Sequence, residues 1–211
     1  MKDSANQAGG FVGKFEAGSR PALLVIDFQR GMTDTSVSTM GSDCTQAIAA
    51  TNKIIKAARE RGPVIFTACS YHSHAMDAGA FLKKCPELSS FVHGSAACEL
   101  DPRLDYDRER DMLLYKTQAS AFFGTPLSAI LASISCNMLL VAGCSTSGCV
   151  RASVVDALQL SFPPFVIEEC VTDRSAAQYR SNLIDMADKY ANLVSLDEMK
   201  KILEEMKNEV S

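Results

Sequence analysis

The sequence lacks an apolar run long enough to cross a lipid bilayer. Its longest runs, residues 21–28 and 138–144, fall well short of the roughly 20 residues that a spanning helix needs. The first ten residues, MKDSANQAGG, also lack the apolar core of a secretory signal. We therefore expect a soluble, cytoplasmic protein that has no membrane partner.

An excess of positive charge is also missing. The 21 Lys and Arg residues are outnumbered by 25 Asp and Glu residues, which gives a formal net charge of −4 at pH 7. Nucleic acids and anionic membranes attract proteins chiefly through clustered cations. The composition therefore argues against a nucleic-acid partner and favours a small-molecule one.

Patterns of metal ligands are scarce as well. No CxxC motif is paired with a second CxxC or with HxxxH, the spacing typical of a structural zinc site. The pair His72-x-His74 is the one arrangement that suggests a metal. We expect neither a metal nor another cofactor, with a metal at these histidines as the alternative.

Cysteine, by contrast, is plentiful. An even number invites a disulfide interpretation, but several of the cysteines lie in or beside apolar segments, where a free thiol acts as a small hydrophobic group. We expect all of them to be reduced. The eight are Cys44, Cys69, Cys85, Cys98, Cys136, Cys144, Cys149 and Cys170.

Apolar runs alternate with helical patterns along most of the 211 residues, of which 47% are hydrophobic. This alternation predicts a three-layer α/β/α, Rossmann-like fold with an approximately six-stranded, mostly parallel sheet. The predicted strands are 21–29, 64–70, 111–116, 138–144, 165–171 and 193–194. The predicted helices are 45–61, 125–134, 149–160, 178–190 and 196–208.

Two segments fall outside this alternation. Residues 1–19 are polar and contain glycine, and we interpret them as an N-terminal arm, held by the core or by a neighbouring subunit, ahead of one domain of residues 20–211. Residues 71–110 have little periodicity. We expect long loops there that contribute to specificity or to an interface.

The segment MLLVAGCSTSGCVRASVVDALQLSF, residues 138–162, carries the strongest chemical signal. An apolar strand leads through a tight Ser/Thr/Gly turn to Cys149, and an amphipathic helix follows. The dipole and free N–H groups of a helix N-terminus stabilise a thiolate, and the same N–H groups can hold an oxyanion. The layout predicts a cysteine nucleophile for acyl transfer, with a buried structural thiol as the alternative.

Two other reactive side chains close predicted strands. Asp27 ends ALLVID and Lys116 ends MLLYK, and functional groups gather beyond the carboxyl ends of parallel strands. No histidine stands at such an end, so Asp27 is predicted to accept the Cys149 proton. Lys116 is predicted to lower the thiol pKa and to hold Asp27 in position. The alternatives are a capping role for Asp27 and a solvated position for Lys116.

Three segments, ALLVIDFQRGMTD, YKTQASAFFGTPL and VAGCSTSGCVRASVVDAL, resemble the signature segments of the isochorismatase-like cysteine hydrolases. The resemblance implies a catalytic triad of Asp27, Lys116 and Cys149. It also implies a cis peptide bond between Cys144 and Ser145. The backbone N–H groups of Ser145 and Cys149 are then expected to form the oxyanion hole.

Within that family, TSGCVRASVVDA followed by ECVTDRS is most similar to the N-carbamoylsarcosine and maleamate amidohydrolases. This likeness implies that Arg174 binds a substrate carboxylate, for which a guanidinium has matching bidentate geometry. The alternative for Arg174 is a helix cap or an ion pair with Asp173 or Glu169. Relatives commonly form dimers or tetramers, so a homodimer or homotetramer is expected.

We therefore predict hydrolysis of a small linear amide or ureido acid through a cysteine thioester, with release of ammonia. One alternative is nicotinamidase-type hydrolysis, but the metal-binding Asp-x-His of those relatives is absent, because no Asp stands two residues before His72 or His74. Two further alternatives are isochorismatase activity on a vinyl ether and a non-catalytic, thiol-sensing scaffold.

Overall fold

A computed structural model describes residues 3–208 of the chain, and the side chains of residues 3–206. The strands are β1 (Pro21–Ile26), β2 (Val64–Cys69), β3 (Met112–Lys116), β4 (Met138–Cys144), β5 (Pro164–Thr172) and β6 (Asn192–Val194). The helices are α1 (Ser4–Ala8), α2 (Arg30–Thr33), α3 (Thr45–Ala58), α4 (Ala80–Lys84), α5 (Leu127–Ser133), α6 (Arg151–Gln159), α7 (Ala176–Lys189) and α8 (Leu196–Asn208).

The six strands form one sheet in the order β3-β2-β1-β4-β5-β6, and every neighbouring pair is parallel. The chain builds one half of the sheet outward from β1 and then returns to the centre to build the other half from β4. This return creates a topological switch point between β1 and β4, where ligands of such sheets bind. The predicted fold class is confirmed.

Both faces of the sheet are covered, as its continuous apolar strands require. In β1, Leu23 and Val25 pack into the cluster under α3 and α8, whereas Leu24 and Ile26 pack into the cluster under α5, α6 and α7. This division follows from the alternation of side chains along a strand. No helix among residues 3–208 is long and apolar enough to cross a membrane.

The strand β1 ends three residues earlier than its apolar run suggested. The backbone turns at Asp27, whose φ of 53° lies in the left-handed region, a conformation that aspartate adopts more readily than most residues. Beyond it, the buried Gln29 side chain donates to the carbonyl oxygens of Cys69 and Ala97, both at 2.9 Å. Side-chain hydrogen bonds from Gln29 therefore replace the backbone hydrogen bonds of the sheet after β1 ends.

A close approach of two strands fixes the switch point beside Asp27. Gly143 of β4 has φ of 130°, and a Cβ atom there would collide with the carbonyl oxygen of Ile26. Only glycine avoids both the strain and the collision. The ends of β1 and β4 are therefore held in contact.

The N-terminal arm contains a short helix, α1, which sequence analysis did not predict. The backbone N–H of Asp3 and the Asn6 Nδ2 donate to the carboxylate of Asp188 at the end of α7. Further along, the backbone N–H of Phe15 donates to Asn192 Oδ1 at 3.1 Å. The arm is thus held by its own chain, one of the two expected possibilities.

Residues 71–110 contain α4 and three 3₁₀ turns, Met76–Ala78, Pro86–Ser90 and Ala96–Cys98. Although irregular, this region adds buried side chains such as Leu88 and Phe91 to the core on the α3 side. It therefore covers one face of the sheet in the place of a regular helix.

Candidate active site

Four reactive side chains meet at the carboxyl edge of the sheet. Asp27 follows β1, Cys69 ends β2, Lys116 ends β3, and Cys149 follows β4 after a short turn. All four are buried, and Cys149 is the most accessible of them at 8% exposure. The switch point therefore brings together the three residues that sequence analysis selected, together with a second cysteine.

Asp27 and Lys116 form a fully buried ion pair, with 2.7 Å between Oδ2 and Nζ. The other carboxylate oxygen accepts a hydrogen bond from Thr67 Oγ1 at 2.7 Å. Lys116 Nζ also donates to the carbonyl oxygens of Gln118 and Ala119, at 2.9 and 3.0 Å. Buried charges require such complete pairing, because unpaired ones lose their hydration without compensation.

Lys116 remains a cation in this setting. Burial opposes its charge, but the neighbouring Asp27, and then Cys149 and Cys69, outweigh that effect and raise the pKa of Lys116 well above its usual value. The ammonium group is thus a fixed positive charge beside any anion that forms in the site. The alternative of a solvated strand-end lysine is wrong, because Lys116 is buried.

Cys149 lies next to the ion pair. Its Sγ, a carboxylate oxygen of Asp27 and Cys69 Sγ all lie within 4.8 Å of one another. The backbone of Cys149 belongs to a π turn, Thr146–Val150, that leads into α6. Ser153 Oγ donates to the Cys149 carbonyl at 2.7 Å and accepts from the Ala121 N–H at 2.9 Å. The turn that carries Cys149 is thereby tied to the loop that follows β3.

The position of Cys149 near a helix N-terminus suggested a lowered pKa, but the pKa of this thiol is raised. Its hydrogen bond with Cys69, together with burial, raises the pKa of Cys149 well above its usual value, although Lys116 acts to lower it. The resting group is therefore a thiol.

Cys69 was assigned to the core by sequence analysis, but it belongs to the site. Its Sγ accepts a hydrogen bond from Lys116 Nζ at 3.2 Å and lies 3.7 Å from Asp27 Oδ2. The missed signal was positional. Cys69 closes β2, which lies between β1 and β3, so the strand-end rule that selected Asp27 and Lys116 applies to it equally.

The turn before Cys149 is anchored to the end of β5. The Cys144–Ser145 peptide bond is cis, as the resemblance implies. The Ser147 N–H donates to Asp173 Oδ2 at 2.7 Å, and Thr146 Oγ1 donates to the Thr172 carbonyl at 3.0 Å. The amides of Ser145 and Cys149 lie on this anchored turn, and their role as an oxyanion hole stays a prediction.

Arg174 lies at the surface beyond the end of β5, and its Nε donates to the Met40 carbonyl at 2.8 Å. It lines a surface cavity of about 750 Å³ whose walls include the acidic residues Glu168, Glu169 and Asp173. Among the described residues, no hydrogen bond or ion pair joins Arg174 to the buried cluster. Its predicted role as a carboxylate anchor stays a prediction.

The histidines lie apart from this cluster. His72 and His74 are exposed, whereas His93 Nδ1 pairs with Ser70 Oγ at 3.0 Å. Within residues 3–206, the one grouping with metal-ligand chemistry is Asp27, Cys69 and Cys149. Lys116 Nζ contacts two of these three, and its charge opposes a second cation there.

Comparison with known proteins identifies a protein family and several relatives of this chain. A model of the isochorismatase domain matches residues 21–198. Maleamate amidohydrolase of Pseudomonas putida is 36% identical over 184 residues, which cover 84% of this chain and 84% of that protein. An N-carbamoylsarcosine amidase of an Arthrobacter species is 29% identical over 201 residues, covering 92% and 75% respectively.

A solved structure shares the architecture. A cysteine hydrolase from Pseudomonas syringae superposes with a TM-score of 0.85, covering 92% of this chain and 99% of that one, at 17% sequence identity. At such low identity the likeness shows the fold alone. The three-layer arrangement around the switch point is thus common to both proteins.

Proposed function

This chain belongs to the isochorismatase family, and from that premise we propose that it hydrolyses a small linear amide or ureido acid and releases ammonia. The observation that carries the proposal is the cluster of Cys149 with the Asp27–Lys116 ion pair. The names of two relatives, maleamate amidohydrolase and N-carbamoylsarcosine amidase, support an acyclic acid as the substrate class.

The first step transfers a proton from the Cys149 thiol to the Asp27 carboxylate. The sulfur attacks the carbonyl carbon of the amide, a C–S bond forms, and the π electrons of the carbonyl move to its oxygen. The raised pKa of Cys149 makes a base necessary, and Asp27 is the carboxylate within reach. The backbone N–H groups of Ser145 and Cys149 would stabilise the oxyanion.

The second step breaks the C–N bond. Protonated Asp27 returns its proton to the leaving nitrogen, ammonia departs, and a Cys149 thioester remains. Asp27 then takes a proton from water, whose oxygen attacks the thioester carbon, and the departing sulfur recovers the proton. Throughout, the fixed charge of Lys116 offsets the negative charge that moves between Asp27 and the substrate.

Ammonia release from maleamate, N-carbamoylsarcosine, nicotinamide and biuret tests the proposal. We expect turnover of one or both of the first two, which are linear acids. Faster turnover of nicotinamide, together with zinc in an elemental analysis, would instead indicate a nicotinamidase-type enzyme. Inactivity on all four would contradict the proposed substrate class and favour the thiol-sensing scaffold.

Replacing Arg174 with alanine is expected to raise KM for maleamate by about tenfold or more and to leave KM for the neutral biuret nearly unchanged. The reason is loss of a charge-assisted hydrogen bond to the substrate carboxylate. Steady-state kinetics on the two substrates measure the difference. Arg180→Ala, an exposed arginine of α7, is the matched control. Equal changes in KM for both substrates would remove Arg174 from this role.

A further inference from the structure

Tyr71 has a buried hydroxyl without a partner. Its side chain is only 1% exposed, and among the described residues its Oη is the one buried side-chain oxygen or nitrogen that forms no hydrogen bond. Buried polar groups are nearly always satisfied, because an unsatisfied one loses its hydration without compensation. An isolated exception of this kind calls for a partner that the free chain does not supply.

The backbone holds Tyr71 firmly. The Tyr71 N–H donates to the Phe91 carbonyl, and the His93 N–H donates to the Tyr71 carbonyl, both at 2.8 Å. These bonds pair residue 71 with Val92 in a parallel bridge. The position of the ring is therefore built into the fold, and the unsatisfied hydroxyl is not the result of a loose loop.

Tyr71 also belongs to the same buried cluster of side chains as Cys69. Tyr71 follows Cys69, at the end of β2, by two residues. Burial raises the pKa of Tyr71, and the nearby Lys116 cation acts in the opposite direction. The hydroxyl therefore keeps its proton at neutral pH, so it is a standing hydrogen-bond donor at the edge of the proposed active site.

We propose that the Tyr71 hydroxyl binds the substrate directly, by donating a hydrogen bond to a substrate oxygen that lies over the Asp27–Cys69–Cys149 cluster. This assignment rests on the proposed function. The sheet order supports it, because β2 and β4 flank β1 on opposite sides. The turn after β4 would hold the reacting carbonyl oxygen, so Tyr71 approaches a different part of the substrate. A small amide acid carries a second oxygen-bearing group that suits this donor.

The test is Tyr71→Phe, which removes the hydroxyl and keeps the ring. We expect KM for the better of maleamate and N-carbamoylsarcosine to rise about tenfold, because one hydrogen bond to the substrate is lost. The thermal unfolding midpoint of the free protein should stay unchanged or rise, because no internal hydrogen bond is lost. In a Cys149→Ala background, the same substrate should raise the unfolding midpoint less after Tyr71→Phe than before it.

Tyr179→Phe provides the opposite pattern. The Tyr179 hydroxyl donates to the Glu168 carbonyl at 3.0 Å, so its loss should lower the unfolding midpoint and leave KM unchanged. If Tyr71→Phe behaves in this way too, its hydroxyl is satisfied by an internal water and the assignment is wrong. A wild-type protein inactive on every amide tested would overturn the proposed function, and this assignment with it. An active wild type with unchanged KM after Tyr71→Phe would overturn the assignment alone.

Discussion

Replacing Cys149 with alanine is expected to lower ammonia release by at least about 1,000-fold, since removal of a nucleophile eliminates the covalent route entirely. The neighbouring groups cannot substitute for it, because Asp27 is engaged by Lys116 and Thr67. The measurement is kcat on the best substrate, with circular dichroism to show that the variant is folded.

A matched substitution separates the loss of the nucleophile from the general loss of a buried thiol. Cys136 is also buried, but it lies before β4 at the other end of the sheet, with its Sγ 3.6 Å from the Met138 carbonyl. Cys136→Ala should therefore retain kcat. Full turnover by Cys149→Ala would rule out the thioester mechanism.

Replacing Lys116 with methionine is expected to lower the free energy of unfolding by about 3–5 kcal/mol, because it leaves the Asp27 charge buried without its partner. Both side chains of the pair have no solvent exposure. Methionine preserves most of the length of the lysine side chain. The substitution therefore tests the loss of the charge and creates little or no cavity. Urea denaturation followed by circular dichroism measures the change.

Two further variants sharpen this prediction. Combining Lys116→Met with Asp27→Asn removes both charges and should recover part of the lost stability, while activity stays absent. Arg151→Met breaks the partly exposed pair with Asp185, which spans 3.4 Å, and should cost at most about 1 kcal/mol. A similarly small effect from Lys116→Met would contradict the prediction that breaking the buried pair is costly.

The strand-end rule identified the reactive residues that differ most from their surroundings. Asp27 and Lys116 interrupt apolar runs, and Cys149 follows a turn of small residues, so each can be recognised from its neighbours in the sequence. Cys69 and Tyr71 stand in or after an apolar strand, where such side chains are usually core. The place of Cys69 in the cluster and the proposed role of Tyr71 depend on which strands become neighbours, and local sequence patterns do not give the sheet order.

Other differences have the same origin. The pKa direction of Cys149 depends on its contact with Cys69, which comes from a strand two positions away in the sheet. Arg174 likewise donates a hydrogen bond to the carbonyl of Met40, a residue that is far from it in the chain. Local sequence patterns predict the helices and strands well. The contacts between distant segments decide which chemistry the side chains at the strand ends can perform.

The switch point has a consequence for how activity could be lost. Asp27 and Lys116 belong to the half of the sheet that contains β1, β2 and β3, whereas Cys149 belongs to the half that begins with β4. The site therefore lies on the boundary between these two halves, and its geometry depends on the registry of β1 against β4, which both hydrophobic clusters span. A slight parting of β1 from β4 would separate Asp27, the proposed base, from Cys149, the proposed nucleophile. Enzymatic activity would then report on this boundary more sensitively than any spectroscopic measure of secondary structure.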